Sequence, residues 1–284
     1  MASKNPGKKQ TPAGGAGTNR REALRQAQAA QAAHQKRMRA ILIAVAAAVG
    51  IAIIVVAVLG ATGRLGTGKN EPTTVVTTLG EQITPPHANA DGTGIVSQLG
   101  TNASAPTLVV YEDYQCPICK TYEQYFGPTF ESLATSGQIQ LEYRTRTFLD
   151  QNLQQLNESN GTPESSKRAA MAAACADQVG KFQEYHDAAY ANAPAQEGNG
   201  YTMQQLREDF ADTAGITGEN LTTFQSCVDQ NQTKTFVENV EQAGKDAGVN
   251  STPTFTVNGE QVSFTDADPN SEQSVMDVIN AAVA

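Results

Sequence analysis

Beyond residue 106, apolar and polar positions alternate along the chain in patterns that predict strands and helices. Residues 107–112 form an apolar, β-prone run, which is typical of a buried strand. Apolar and aromatic residues then recur at helical intervals and predict a helix over 117–135. Apolar and polar residues alternate over 138–148 and predict a second strand. The folded part of the chain is therefore expected to begin with a β-α-β unit.

The next part of the chain is predicted to be mostly helical. Apolar periodicity and turn signals predict helices over 163–178, 181–191, 202–213, 219–229 and 231–247. Strand character returns over 254–257, and Asn258-Gly259 is a strong signal for a hairpin into a strand at 261–264. A final amphipathic helix is predicted over 270–283. This order indicates an α/β domain with an inserted all-helical subdomain.

The N-terminal part of the chain has a different pattern. Residues 40–63 contain no charged side chain and are long enough to cross about 30 Å of hydrocarbon. Lys and Arg residues are concentrated just before this stretch, so the positive-inside rule places the N-terminus in the cytoplasm and the remainder outside. The alternative is a cleaved signal peptide ending near Val58-Leu59-Gly60, but its apolar core is usually only ~7–15 residues long. We therefore expect an uncleaved transmembrane helix.

Charge divides the chain along the same line. Residues 1–39 carry nine Lys/Arg and one acidic residue, a net charge of +8, and the whole chain carries −9, which leaves −17 for the remainder. An outer domain this acidic is not expected to bind nucleic acid, and a basic flank is typical of a membrane anchor.

The predicted divisions are a cytoplasmic low-complexity tail (1–39), a transmembrane helix (40–63), an extracytoplasmic linker with a possible short strand at 95–99 (64–105), the first α/β part (106–150), the helical insertion (151–248) and the second α/β part (249–284).

All four cysteines lie on the predicted outer side, where an even number favours disulfides over free thiols. Cys116 and Cys119 stand at i and i+3 in the first turn of a predicted helix, where unpaired backbone N–H groups stabilise a thiolate. This spacing predicts dithiol–disulfide exchange, with a static disulfide or half of a zinc site as alternatives. A zinc site needs two more ligands, and the sequence has no second CxxC or Cys/His pair.

The order of these motifs resembles a known family. The string Tyr-Glu-Asp-Tyr-Gln-Cys-Pro at 111–117, the CPIC box, the inserted helices and Ser251-Thr252-Pro253 before a hairpin are similar to the DsbA-like branch of the thioredoxin-fold oxidoreductases. The anchor and the extra cysteines make the chain most similar to the membrane-anchored members from Gram-positive bacteria. The resemblance covers residues 94–284 and implies a thioredoxin-like fold.

The resemblance also implies roles for the site residues. Cys116 would be the nucleophile, and Cys119 would resolve the mixed disulfide. Thr252 would precede a cis proline, Pro253, and offer backbone groups to a substrate peptide. The alternative for Pro253 is an ordinary trans proline at the first residue of a strand, where its missing N–H does no harm.

Pairing the CxxC cysteines with each other leaves Cys175 and Cys227, which we interpret as a structural disulfide within the helical insertion. A second, shuttling redox pair is the alternative, but cysteines 52 residues apart lack the resolving geometry of a CxxC motif. His186, in a segment that resembles the family, is expected to be a structural helix residue rather than a catalytic one.

Two positions depart from the family pattern. Ile118 occupies the place where the strong oxidants of the family have a histidine, so the oxidising strength is open. Val110 occupies the place of the family's buried acid. Glu112 and Asp113 are nearby carboxylates that either handle protons for Cys119 or lie in a solvated loop.

The resulting interpretation is a membrane-anchored, extracytoplasmic thiol:disulfide oxidoreductase that oxidises secreted proteins. Its expected partners are unfolded protein thiols and a quinone-linked membrane reoxidase of the DsbB or VKOR type. No organic cofactor and no metal are implied, and a monomer is expected. The alternatives are a reductase or isomerase on the same fold, or a non-catalytic anchored binding domain.

Overall fold

The computed structural model describes residues 79–100, 102–194 and 196–284. The predicted cytoplasmic tail at 1–39 and the predicted transmembrane helix at 40–63 lie outside these residues. Within the described part of the chain, no helix is both long and apolar enough to cross a membrane.

A five-stranded mixed sheet forms the centre of the fold, with strand order β1-β3-β2-β4-β5. Its strands are β1 (Ile95–Val96), β2 (Thr107–Glu112), β3 (Gln140–Thr145), β4 (Thr254–Val257) and β5 (Glu260–Val262). β2 pairs in parallel with β3 and antiparallel with β4, so it is the central strand, as its apolar run predicts. Asn258 and Gly259 both have positive φ, at 49° and 93°, and close the predicted hairpin between β4 and β5.

Eight α-helices surround or extend this sheet among the described residues. They are α1 (Pro117–Thr135), α2 (Leu149–Ser159), α3 (Ser165–Asp177), α4 (Phe182–Ala191), α5 (Phe210–Thr213), α6 (Gly218–Asp229), α7 (Lys234–Asp246) and α8 (Glu272–Val283). A π-helical turn (Gln205–Asp209) leads directly into α5. The helices from α2 to α7 form the predicted insertion between β3 and β4, and the thioredoxin-like α/β order predicted from the sequence is therefore present.

The core joins the sheet to the helices without a break. Phe130 of α1 packs against Phe255 of β4 and against Phe264, which follows β5, with ring centroids 6.0 and 5.1 Å apart. The same cluster of buried residues continues into α3 and α4 of the insertion. Burying aromatic side chains of this size is worth about 1.5–3 kcal/mol each, which fixes α1 against the sheet. This packing also fixes the position of the first turn of α1 relative to the sheet.

Two parts of the chain differ from the sequence-based expectation. Helix α2 was not predicted, because its leucines form only a narrow stripe among polar residues. In the predicted linker, the described residues 79–100 lie against the folded domain. Gln82 donates a hydrogen bond to the carbonyl of Asn231 at 3.0 Å and accepts one from the backbone N–H of Thr235 at 2.8 Å. Backbone pairing of β1 with β3 adds this segment to the sheet.

Candidate active site

The CxxC motif lies where the central strand gives way to α1. Cys116 is the N-cap residue of α1, with extended backbone angles, and Pro117 occupies the first turn, where its missing N–H is not needed. The backbone N–H of Cys119 donates to Sγ of Cys116 at 3.4 Å. Both cysteines are thiols and both are buried. The sulfur of Cys116 therefore caps the positive end of a helix, as the sequence predicts.

Thr252 and Pro253 face this sulfur from the neighbouring strand. β2 and β4 are antiparallel, with Tyr111 opposite Thr254, so the residues before β4 lie beside the loop that follows β2. The peptide bond between Thr252 and Pro253 is cis, as the family resemblance implies. The thiol of Cys116 donates to the backbone carbonyl of Thr252 at 3.4 Å. The structure thus brings Cys116, Cys119, Thr252 and Pro253 together.

The two cysteines have opposite electrostatic environments. A hydrogen bond from the Cys119 thiol lowers the pKa of Cys116 to about 6. The Thr252 side chain and the N–H groups of Cys119 and Ile118 act in the same direction, against the effect of burial. Burial raises the pKa of Cys119, and the charges of Cys116 and Glu112 raise it further. Cys116 is therefore the thiolate near neutral pH, and Cys119 keeps its proton.

Asp113 is fully buried, so the solvated-loop alternative is wrong for this residue. Its carboxylate accepts hydrogen bonds from the Ser166 hydroxyl at 2.6 Å and from the backbone N–H of Gln115 at 2.9 Å. Burial raises its pKa well above the usual range. The side chain ties the loop before Cys116 to α3, while its backbone N–H hydrogen bonds with Cys119. Asp113 therefore positions the CxxC loop.

Glu112 is also fully buried, which makes the solvated-loop alternative wrong here too. Its Oε1 lies 2.9 Å from Nε2 of His186, and its Oε2 has no hydrogen-bond partner among the described residues. Nδ1 of His186 lies 3.3 Å from Oδ1 of Asp187. His186 is thus a buried helix histidine, as predicted, but it contacts a carboxylate that influences Cys119.

Glu123 completes this buried group and was not identified from the sequence. It follows Cys119 by four residues on α1, so both side chains lie on the same face of the helix. Its carboxylate lies near the carboxylate of Glu112 and the imidazole of His186. Burial raises its pKa to about 8, and the charge of Glu112 adds to the effect. The i, i+4 spacing from the second cysteine was the available signal.

Ile118 lies beside the site with 59% of its surface exposed. This exposed apolar side chain next to Cys116 gives the site a hydrophobic rim and no imidazole.

The other two cysteines are separate from this chemistry. Cys175 in α3 and Cys227 in α6 form a disulfide, the pairing interpreted from the sequence. Both are buried within the helical insertion, and Thr233 contacts Cys175 at 3.6 Å. The bridge links two helices of the insertion.

Comparisons with known proteins agree with this architecture. A family model described as "Thioredoxin" matches residues 91–281. The MdbA thiol-disulfide oxidoreductase of Actinomyces oris is similar in structure, with a TM-score of 0.55 and 19% identity over 75% of this chain and 99% of that one. Oxidised BdbD from Bacillus subtilis has a TM-score of 0.53 and 17% identity over 72% of this chain and 99% of that one. No curated sequence matches the chain significantly. At these identities the structural matches confirm the predicted resemblance at the level of the fold.

Proposed function

We propose, on the premise that this chain belongs to the thioredoxin family, that it is a thiol:disulfide oxidoreductase that introduces disulfides into secreted proteins. One observation carries the proposal: Cys116, with a pKa of about 6, faces the carbonyl of Thr252 while Cys119 is buried behind it. A stabilised outer thiolate next to a protonated inner thiol is the arrangement that disulfide exchange requires.

The reaction begins from the Cys116–Cys119 disulfide. A substrate thiolate attacks Sγ of Cys116, a new bond forms between these sulfurs, and Cys119 leaves as a thiolate that takes up a proton. A second substrate thiolate then attacks the substrate sulfur of this mixed disulfide and releases Cys116 as a thiolate. The substrate loses two electrons and gains a disulfide, and the enzyme becomes a dithiol. The backbone of Thr252 lies where it can bind the substrate chain beside Cys116.

The low pKa of Cys116 favours the oxidising direction. Stabilising the thiolate stabilises the reduced enzyme, so the disulfide form gives up its bond more readily. Reference outer cysteines have pKa values of about 7 in thioredoxin, a reductant, and about 3.5 in DsbA, a strong oxidant. The lowered pKa of Cys116 supports the oxidising direction, and Ile118 supplies no imidazole that would lower it further.

The proposed location is the outer face of a membrane, with residues 40–63 as an anchor. The uncharged stretch, the basic residues before it and the cysteine content support this topology. The electrons gained by Cys116 and Cys119 would pass to a quinone-linked reoxidase of the DsbB or VKOR type in the same membrane. The enzyme would act as a monomer on unfolded protein thiols.

The reduction potential tests both the activity and its direction. The full chain in detergent is equilibrated with reduced and oxidised glutathione, and the free thiols at Cys116 and Cys119 are trapped and counted. A potential above about −200 mV supports the oxidase, and one near about −270 mV supports a reductase instead.

Cys116→Ser is the control for catalysis. The variant is expected to keep the fold, by circular dichroism, and to lose the ability to oxidise a reduced, unfolded protein. Undiminished oxidation by a folded Cys116→Ser chain would contradict the enzyme and favour a non-catalytic binding domain.

A further inference from the structure

Beneath the CxxC motif, three side chains from three different elements form a buried cluster. Glu112 ends β2, Glu123 lies in α1 and His186 lies in α4. One potential ligand atom from each, two carboxylate oxygens and an imidazole nitrogen, lies within 4.8 Å of the others. Glu112 and His186 are almost completely buried, and Glu123 is partly exposed.

The cluster has an unsatisfied acceptor. Oε2 of Glu112 is buried, in a side chain that is 1% exposed, and no described residue hydrogen bonds with it. A buried polar atom without a partner costs about 1–3 kcal/mol, and more when it carries charge. This oxygen therefore has bonding capacity that the described part of the chain does not use.

Within the part of the chain that the structure describes, the cluster combines two carboxylates with one basic side chain, the imidazole of His186, whose pKa is raised well above its usual range by Glu112 against the effect of burial. Among the described residues, neither Glu112 nor Glu123 forms an ion pair with a lysine or arginine; His186 is the ion-pair partner of Glu112. Two further carboxylates, from Asp187 and Glu131, raise the pKa of Glu123. Several acids thus surround a single imidazole, and the group needs a positive charge, either protons or a cation.

His186 is oriented as a metal ligand would be. Its Nδ1 lies 3.3 Å from the carboxylate of Asp187, and its Nε2 points at Glu112. Metal-binding histidines usually donate their second ring N–H to a carboxylate in this way. Nε2 is hydrogen bonded to Oε1 of Glu112 at 2.9 Å, so a cation would replace the proton between these two atoms.

Glu123 is the partly exposed member of the cluster and gives it access to solvent. A cavity of about 360 Å³ nearby is lined by four acidic residues, Glu131, Asp177, Glu184 and Asp187. Asp187 contacts both this cavity and Nδ1 of His186, so the cavity is separated from the cluster by one residue. Its negative lining would attract a cation.

We propose that Glu112, Glu123 and His186 form a binding site for a divalent metal ion, and that this site prefers Zn²⁺. A set of one imidazole and two carboxylates suits Zn²⁺, whereas Ca²⁺ and Mg²⁺ use oxygen ligands. Three protein ligands leave one position for water. The sequence implies no metal, because no Cys/His spacing marks these three ligands.

The test uses the full, untagged chain in detergent with Cys116 and Cys119 oxidised to their disulfide. In this state no thiolate can bind the metal, and the result does not depend on the proposed catalytic activity. Calorimetric titration with Zn²⁺, followed by metal analysis after gel filtration, is expected to give one ion per chain. Failure of the oxidised protein to bind Zn²⁺ would overturn the proposal, and the cluster would then hold a shared proton instead.

Glu123→Gln is the decisive variant, because this partly exposed ligand can be replaced without opening the core. Its Zn²⁺ affinity is expected to fall at least about tenfold, with an unchanged circular dichroism spectrum. Glu184→Gln makes the same chemical change in the cavity lining and is expected to bind as the wild type does. Equal binding by wild type and Glu123→Gln, or loss of binding in Glu184→Gln, would assign the metal to other residues and contradict the proposal.

Discussion

Arg146 donates a hydrogen bond to the backbone carbonyl of Val249, three residues before Thr252. The same buried guanidinium binds both carboxylate oxygens of Glu241, at 2.9 and 3.2 Å. The backbone N–H of Arg146 donates to the carbonyl of Glu112 at 2.6 Å. One residue therefore connects the end of the strand that carries the CxxC motif to the segment that leads to the cis proline.

Replacing Arg146 by methionine is expected to destabilise the protein by about 3 kcal/mol, because the buried carboxylate of Glu241 loses the guanidinium and keeps the backbone N–H of Thr147 and the exposed ammonium of Lys245 as partners. Urea unfolding of the oxidised chain measures this change. Arg207→Met is the matched control: Arg207 also binds both oxygens of its partner Asp229, but it is 31% exposed. Its expected effect is at most about 1 kcal/mol, and equal effects of the two substitutions would contradict the role of burial.

The low pKa of Cys116 predicts a pH dependence confined to the reduced protein. The folded pKa of about 6 lies below the unfolded value of about 8.5, so the thiolate contributes its full stability above pH 8.5. This contribution decreases as the pH falls and is lost below pH 6. Between pH 8.5 and pH 5, the free energy of unfolding should therefore fall more for the reduced protein than for the oxidised protein. Urea unfolding of both forms at the two pH values measures this difference.

Thiolate absorbance at 240 nm gives the same pKa directly and should rise with a midpoint near pH 6. The Cys116→Ser variant should show neither this rise nor the extra pH dependence of stability. A midpoint near 8.5 in the wild type would mean that the helix end and Cys119 do not stabilise the thiolate.

Ile118→His is expected to strengthen the oxidant. An imidazole at this exposed position can donate to the Cys116 thiolate and lower its pKa. Each decrease of one pKa unit should shift the glutathione equilibrium about tenfold toward the reduced enzyme. Tyr125→His places the same side chain at a similarly exposed position of α1, 62% exposed, and should change neither quantity. Identical potentials for Ile118→His and the wild type would show that oxidising strength is set elsewhere.

Replacing Cys175 and Cys227 together by serine is expected to lower the free energy of unfolding by about 2–5 kcal/mol. The bridge closes a loop of 52 residues, and its loss leaves the unfolded chain less restricted. The glutathione equilibrium at Cys116 should stay unchanged, because the two pairs lie in separate parts of the fold. A changed equilibrium would favour the alternative in which the second pair takes part in redox chemistry.

Local patterns were sufficient to predict the centre of the site. The strand Thr107–Glu112 and the helix Pro117–Thr135 have the bounds expected from the sequence, because an apolar run and a proline in the first helical turn act through neighbouring residues. The Asn258-Gly259 turn was predictable for the same reason, since its positive φ angles suit these residues.

Interactions between distant parts of the chain were not predictable in this way. Glu123 and His186 meet Glu112 only after three elements have packed, and no periodicity in the sequence marks such a contact. Helix α2 is held partly by Asp150, whose carboxylate accepts from the backbone N–H groups of Ser166 and Lys167, each at 2.9 Å. The hydrophobic pattern contains no information on these polar contacts.

With the proposed membrane anchor, the packing of residues 79–100 on the domain would limit how far the catalytic centre can travel. With the proposed anchor ending at residue 63, only residues 64–78 remain as a tether, which spans at most roughly 55 Å when fully extended. Cys116 would then stay within a limited distance of the lipid surface and would not diffuse into the bulk solvent. Such confinement raises its effective concentration toward a reoxidase in the same membrane and toward chains leaving an export channel nearby.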